Sequence, residues 1–370
     1  MWQITIDDTE SIAIGAGILG TGGGGNPYLG KIWMQSLLGQ GYTVNIIDLD
    51  EVADDILVTD VGGMGAPTVG IEKLPRGDEP RWAVEALEAY TGKRIDAIIC
   101  PEIGGANSIA PLVAGALTGK PVIDADSMGR AFPELQMSTH FINGIHCAPA
   151  ALVDEKGNRI VFGNVTSSFA LEKFARDLCI LMGCRAELAV SVMTGKQVKD
   201  TAVRRTLTLA KQVGDAVRQA RISKTSTTAA VLGVTGGTEL FAGKLVDVQR
   251  RTTGGFARGE LVTEGLGDYR NEWLHVAFQN ENLVAWRGDR HTRGEVVACV
   301  PDLICLLETE TGEPITTEQL RYGLRVTVLG IPCSDKLRTP QALKVVGPAA
   351  FGYPEVKFIP MPKVAGQGLE

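Results

Sequence analysis

The segment Asp124-Ala125-Asp126-Ser127-Met128-Gly129-Arg130-Ala131-Phe132-Pro133-Glu134 holds the densest set of side chains able to do chemistry. Two carboxylates stand two positions apart beside an apolar run, where isolated charge is costly, so they must pair, bind a cation or meet a polar ligand. If the strand continues, Asp124 and Asp126 share a face and shift each other's pKa, and Arg130 suits bidentate recognition of a carboxylate. A purely structural Asp–Arg network would look the same.

Three glycine turns share a style suited to holding a ligand. Gly22, Gly23, Gly24 and Gly25 are consecutive and are followed by Asn26 and Pro27. Glycine lowers stability but lets backbone N–H groups approach a ligand, so this loop reads as an anion nest, with Pro27 opening a helix. A flexible surface turn is the alternative. Gly62-Gly63-Met64-Gly65-Ala66-Pro67 and Glu102-Ile103-Gly104-Gly105-Ala106-Asn107 each follow a strand-like run, where open α/β sheets bind ligands. Glu102 and Asn107 would converge there; an ordinary turn acid and helix cap would read alike.

Other motifs point elsewhere. Gly15-Ala16-Gly17-Ile18-Leu19-Gly20 matches G-x-G-x-x-G, with Asp48 placed as a ribose-binding acid, which keeps an NAD-type oxidoreductase in view. The glycines that follow would break the helix this fingerprint needs. A helix capped by Asp8 or Thr9, with Gly15 and Gly17 as close-packing positions, is the other reading. His140, His146 and Cys147 match no zinc spacing, and His275 and His291 are scattered. Asn280, Glu281 and Asp302 are second-tier candidates if a second domain closes over the first.

The elements that must position these residues follow from periodicity. Thr43–Leu49, Ile56–Val61, Ile95–Cys100 and Pro121–Asp124 are short apolar runs suited to buried parallel strands, with helical spacing over Glu79–Thr91 and Asn107–Leu117. Residues 1–165 are predicted to form a mainly parallel sheet between helices. Ser168–Met182 and Asp200–Ala220 are amphipathic. From about residue 225 β-branched runs dominate, at Val231–Val234, Leu240–Val248, Leu274–Phe278, Leu283–Trp286, Val296–Val300 and Val326–Leu329. The expectation is an α/β domain over 1–167, then a helical connector and β-rich domain over 168–362.

The chain has 370 residues, 36 Lys and Arg against 43 Asp and Glu, and a net charge of −7, so nucleic acid is not an expected partner. Seven cysteines without a C-x-x-C pair suit a reducing compartment. No apolar stretch is long enough for a membrane span, and the first residues carry neither a basic region nor a cleavage site. A cytoplasmic protein acting on a small molecule, and not at a membrane, is the expectation.

Taken in order, Leu19–Pro27, Gly63–Pro67, Glu102–Asn107, Asp124–Glu134, Asn280–Leu283 and Pro301–Ile304 resemble the DUF917 family, also called the S-methyl-thiohydantoin desulfurase domain family. The likeness covers nearly the whole chain. It implies a Rossmann-like three-layer α/β domain followed by a β-rich, swivelling-type domain, and a hydrolase-type desulfurase that acts on a thiohydantoin or related five-membered cyclic amide through water attack at C2. Asp124 and Asp126 would activate water or bind a metal, with Asp126 the ligand of one divalent ion, zinc by preference. Glu102 would shuttle protons and Arg130 orient substrate. Gly22, Gly23, Gly24, Gly25 and Asn26 would bind substrate together with Gly65, Gly105, Asn107, Met128 and Glu134. A homo-oligomer is expected. A non-catalytic metabolite-binding subunit that partners a hydantoinase- or oxoprolinase-type enzyme is the rival reading.

Overall fold

The computed structural model describes residues 1–66 and 69–370; Pro67, the last residue of the second glycine turn, lies outside the described residues. The first sheet contains β1 (Trp2–Gln3), β2 (Asn45–Ile47), β3 (Leu57–Gly65), β4 (Ala97–Cys100), β5 (Val122–Asp126), β6 (Ala150–Val153), β7 (Arg159–Phe162), β8 (Arg185–Thr194) and β9 (Val203–Arg204). Its spatial order is β1-β2-β5-β4-β3-β8-β6-β7, with β9 paired to the end of β5. Only β2, β5, β4 and β3 are parallel to one another; β1, β6, β7, β8 and β9 pair antiparallel.

The expectation of a mainly parallel sheet is therefore corrected: the sheet is mixed, and β8 and β9 come from beyond residue 167. The cause lies in β3. β4 pairs with one edge of this buried strand, at Val58–Asp60, and the backbone groups of the opposite edge must also find partners. β8 supplies them, antiparallel from Leu57↔Thr194 to Gly65↔Arg185 with one register shift between Val58 and Asp60.

The helices are α1 (Ile6–Leu19), α2 (Tyr28–Gly39), α3 (Val69–Glu72), α4 (Glu79–Thr91), α5 (Ala110–Thr118), α6 (Thr139–Ile142), α7 (Ser168–Leu181), α8 (Gly195–Thr201), α9 (Thr206–Ser223), α10 (Thr227–Thr235) and α11 (Pro340–Val346). Left-handed Gly92 and Gly119 stop α4 and α5, which cover Ile98, Cys100 and Val122 on one sheet face. On the other face α7 packs over Leu152, Leu188 and Val190, and α8 over Val58, Ile99 and Ile123. Two sequence readings fail here. Asp200–Ala220 is not one helix, because left-handed Arg205 separates β9 from α9, and Val231–Val234 is helical within α10. Among the described residues no helix is long and apolar enough to cross a membrane.

The second sheet is antiparallel, in the order β14 (Glu295–Cys299), β13 (Glu281–Gly288), β12 (Trp273–Gln279), β11 (Phe256–Gly265), β10 (Thr238–Thr253), β16 (Arg325–Ile331) and β15 (Leu303–Glu308). It curls until β13 and β14 approach β15. One face encloses Phe241, Leu261, Val276 and Val328, whereas Leu283, Cys305 and Leu329 join the core of the first domain.

Thr5, not Asp8 or Thr9, caps α1, and Asp8 closes the capping box. Gly15, Gly17 and Leu19 lie inside this helix, so their N–H groups serve the helix and form no phosphate cradle. The glycines are instead where α1 meets α9: a Cβ on Gly15 would stand 1.8 Å from the Ala210 carbonyl oxygen, and one on Gly214 1.8 Å from that of Ser11. Alanine gains about 1 kcal/mol of helix propensity over glycine, whereas overpacking a tight contact costs about 1–3 kcal/mol. Gly15→Ala is therefore expected to lower the urea midpoint of unfolding, and a more stable variant would show that this helix crossing is not close-packed.

Candidate active site

A cavity of about 360 Å³ opens at the carboxyl ends of β3, β4 and β5, bounded by Gly24, Gly25 and Asn26 on one side and by Asn280 and Glu281 of the second domain on another. Of the residues singled out from sequence, Gly24, Gly25, Asn26, Gly65, Glu102, Asn107, Met128 and Glu134 line it. Trp33, Met64, Phe132 and Pro133 add apolar wall.

Glu102 sits just beyond β4, buried, and is gripped at both oxygens. Asn107 Nδ2 donates to Oε1 at 2.6 Å, and the Phe132 N–H donates to Oε2 at 2.9 Å. Asn107 is fixed in turn by the Gly63 backbone, accepting from its N–H at 2.7 Å and donating to its carbonyl at 3.2 Å. Burial pushes Glu102 up to about 7, against the pull of these bonds and of Arg130. Glu281 accepts from the Gly24 N–H at 3.2 Å, and its Oε2 is buried without a partner. Burial and then the charge of Glu102 hold Glu281 well above the usual carboxylate range.

The glycine loop works differently from an anion nest. The Gly23 N–H is spent on the Gly20 carbonyl and that of Gly24 on Glu281, while the Gly24 and Gly25 carbonyls face the Ala106 N–H. Its glycines permit contact: a Cβ on Gly23 would lie 2.0 Å from Glu281 Oε1, and one on left-handed Gly24 2.2 Å from the Gly104 carbonyl. Gly22, Gly23 and Gly105 stand behind the cavity wall and do not line it.

Three further expectations are corrected. Asp124 faces away from the cavity and caps α9, accepting from the Thr208 N–H at 3.0 Å and from its hydroxyl. Asp126 is fully buried behind the wall, where its carboxylate accepts from the N–H groups of Ile103 (2.7 Å), Gly129 (2.8 Å) and Met128 (3.3 Å). It positions the turns that carry Glu102 and Met128, and because both oxygens face N–H donors it does not fit a metal ligand. Among the described residues no group of three or more His, Cys, Asp and Glu side chains is placed to hold an ion. Arg130 also does not line the cavity, because its guanidinium is wholly spent on main-chain oxygens and Thr21. Asp302, the remaining second-tier residue, is bound by Arg338 and by the Cys333 and Met361 N–H groups.

Sequence reading missed Asp60, Arg176, Arg185 and Glu187, which line the same cavity. Asp60 and Glu187 are acids inside the apolar strands β3 and β8, and that misfit was the available signal; the two arginines carry none in sequence. Arg176 donates to Glu172 and the Pro133 carbonyl and stacks on Phe256, its guanidinium carbon 4.6 Å from the ring centre.

Models of two domain families match the chain: the S-Me-THD-like N-terminal domain over residues 7–164 and the S-Me-THD-like C-terminal domain over residues 166–361. The fold is similar to that of a protein from Chromobacterium violaceum solved by X-ray crystallography, with a TM-score of 0.81 and 24% identity over 98% of this chain and 100% of that one. No curated protein matches the sequence.

Burial also pushes Glu187 up to about 7, and its Oε2 has no partner. Because the folded-state value lies above the unfolded one, stability is full below about pH 4.5 and is lost as pH rises through about 7. For one group moved from 4.5 to about 7 that loss is roughly 3 kcal/mol. Glu187→Gln keeps the size and removes the charge, so urea unfolding at pH 5 and pH 8 should show a shallower fall by an amount of that order. An unchanged fall would show that Glu187 titrates in the folded protein as it does in water.

Proposed function

We propose, from the premise that the chain belongs to the S-Me-THD-like family, that this cavity hydrolyses a thiohydantoin-type ring, replacing the sulfur on C2 by oxygen. The observation that carries the reading is Glu102: a buried carboxyl in the cavity wall, held by two hydrogen bonds and poised near 7. A general base works best when its pKa lies near the working pH, and Asn107 and the Phe132 N–H fix which direction this one faces.

The substrate is a small planar ring with alternating N–H and C=O or C=S groups. The apolar wall of Trp33, Met64 and Phe132 suits its faces, and the cavity carboxyls Glu281 and Glu187 suit its polar edge. Ionised Glu102 takes a proton from water as the water oxygen bonds to C2. The C2–S π electrons move to sulfur, which must be protonated before it can leave. Collapse of the tetrahedral carbon forms the C2 carbonyl and expels sulfide. The water-activating role expected of Asp124 and Asp126 thus passes to Glu102, an acid that lines the cavity.

Glu102→Gln is expected to lower the rate of sulfide release from a 5-substituted 2-thiohydantoin by on the order of a hundredfold or more in a protein that still unfolds cooperatively on heating. Because the base must be ionised, wild-type kcat/KM should rise with pH through about 7 and level off above it. A folded, fully active Glu102→Gln would move the base elsewhere. Thiohydantoin binding by the wild type without sulfide release would favour the metabolite-binding subunit of a hydantoinase-type enzyme.

A further inference from the structure

Behind the cavity floor stands a buried pair that the scheme above does not use. Asp60 projects from the middle of β3 and lines the cavity, and its Oδ1 has no hydrogen-bond partner. His140, on α6, is completely buried, and its Nε2 also lacks a partner and lies 3.7 Å from that oxygen. The rest of the ring is fixed: Nδ1 is 2.6 Å from the Thr201 hydroxyl oxygen. The Thr201 hydroxyl donates its own proton to the Gln197 carbonyl at 2.7 Å, so it can only accept from Nδ1–H. His140 in its neutral form therefore turns the lone pair of Nε2 toward Asp60.

An ionised Asp60 would set two acceptors face to face with no water between them. A proton on Asp60 satisfies both orphaned atoms at once, and an approach of less than about 1 Å brings them within hydrogen-bond range. The surrounding charges act in the same sense. Burial, then the neighbouring Asp126, hold Asp60 well above the usual carboxylate range, and burial, then Lys336, pull His140 down to about 3. The pair is thus a neutral acid against a neutral base, with the acid on the cavity side.

We infer that Asp60, with His140 as its positioning residue, is the proton donor to the leaving sulfur. This rests on the thiohydantoin reading and completes its balance. Asp60 gives its proton to sulfur as Glu102 takes one from water, which leaves a tetrahedral C2 bearing OH and SH. The C2–S bond then breaks as Asp60 recovers the proton of the new hydroxyl and the C2 carbonyl forms. The expelled hydrosulfide takes the proton held on Glu102. One water is consumed, one hydrogen sulfide is released, and both acids return to their starting states.

Two measurements test the assignment. In infrared difference spectra at pH 7, Asp60→Asn should remove a protonated-carboxyl C=O stretch; loss of carboxylate bands instead would overturn the proton store. In kinetics, Asp60→Asn should lower kcat on the order of a hundredfold with little change in KM. His140→Asn keeps only the reach to Thr201, so it should lower kcat about tenfold or more and shift the same stretch, whereas His140→Gln extends toward Asp60 and should restore most of both. Thermal melts separate these effects from unfolding. An active wild type with an equally active, folded Asp60→Asn overturns this inference and leaves the reaction standing. A wild type that releases no sulfide overturns the reaction and delivery to sulfur together, and the infrared result then decides only whether Asp60 stores a proton.

Discussion

The guanidinium of Arg130 is the constraint on which the arrangement depends. It is completely buried, and all five of its N–H groups donate: to Ala131, Pro301, Asp302 and Asn282 carbonyls and to the Thr21 hydroxyl. Those acceptors come from the glycine-loop approach, the DADSMGRAFPE segment and two strand ends of the second domain. A buried cation left without partners costs several kcal/mol, so the contacts form together or not at all. Its plane also lies against Phe132, with its central carbon 4.6 Å from the ring centre, and so fixes the residue whose N–H holds Glu102.

From this anchor the acid wall follows. Main-chain bonds from Asn282 to Thr21 and from Thr317 to Gly22 tie the second domain to the glycine loop, and Glu281 inserts where any side chain on Gly23 would stand. Arg130 hydrogen-bonds main-chain oxygens and the Thr21 hydroxyl and pairs with no carboxylate, so its charge only partly opposes the rise of the nearby acids. Burial outweighs that pull, which is why Glu102 rests near 7 and Glu281 is held well above the usual carboxylate range.

Much of this was legible in the sequence, for reasons that can be located. The helix over Glu79–Thr91 has the bounds its spacing predicts, because apolar period and a glycine stop agree there. Glu102 and Asn107 were found because a charged residue directly after an apolar strand, beside glycines, has few bland explanations. Asp124 misled because a strand-end acid that caps a distant helix is identical in sequence to one that faces a ligand; Thr208, its partner, lies 84 residues away. Asp126 and Arg130 were recognised as unusual but assigned to water or metal and to substrate respectively, since one chain of letters does not reveal that backbone N–H and carbonyl groups already saturate them. The β8 insertion was hidden for a related reason: sheet membership is decided by which backbone edge lacks bonds, and no side-chain pattern encodes that.

The cavity wall is shared across the junction between the two matched segments, with Glu281 contributed by the second and Glu102 by the first. In evolutionary terms this couples the inheritance of the halves. An exchange of the second domain between relatives would replace one side of the cavity and three of the acceptors of Arg130 in a single step. A domain from a relative would therefore have to match this one along the whole seam, at the cavity wall and at the arginine alike.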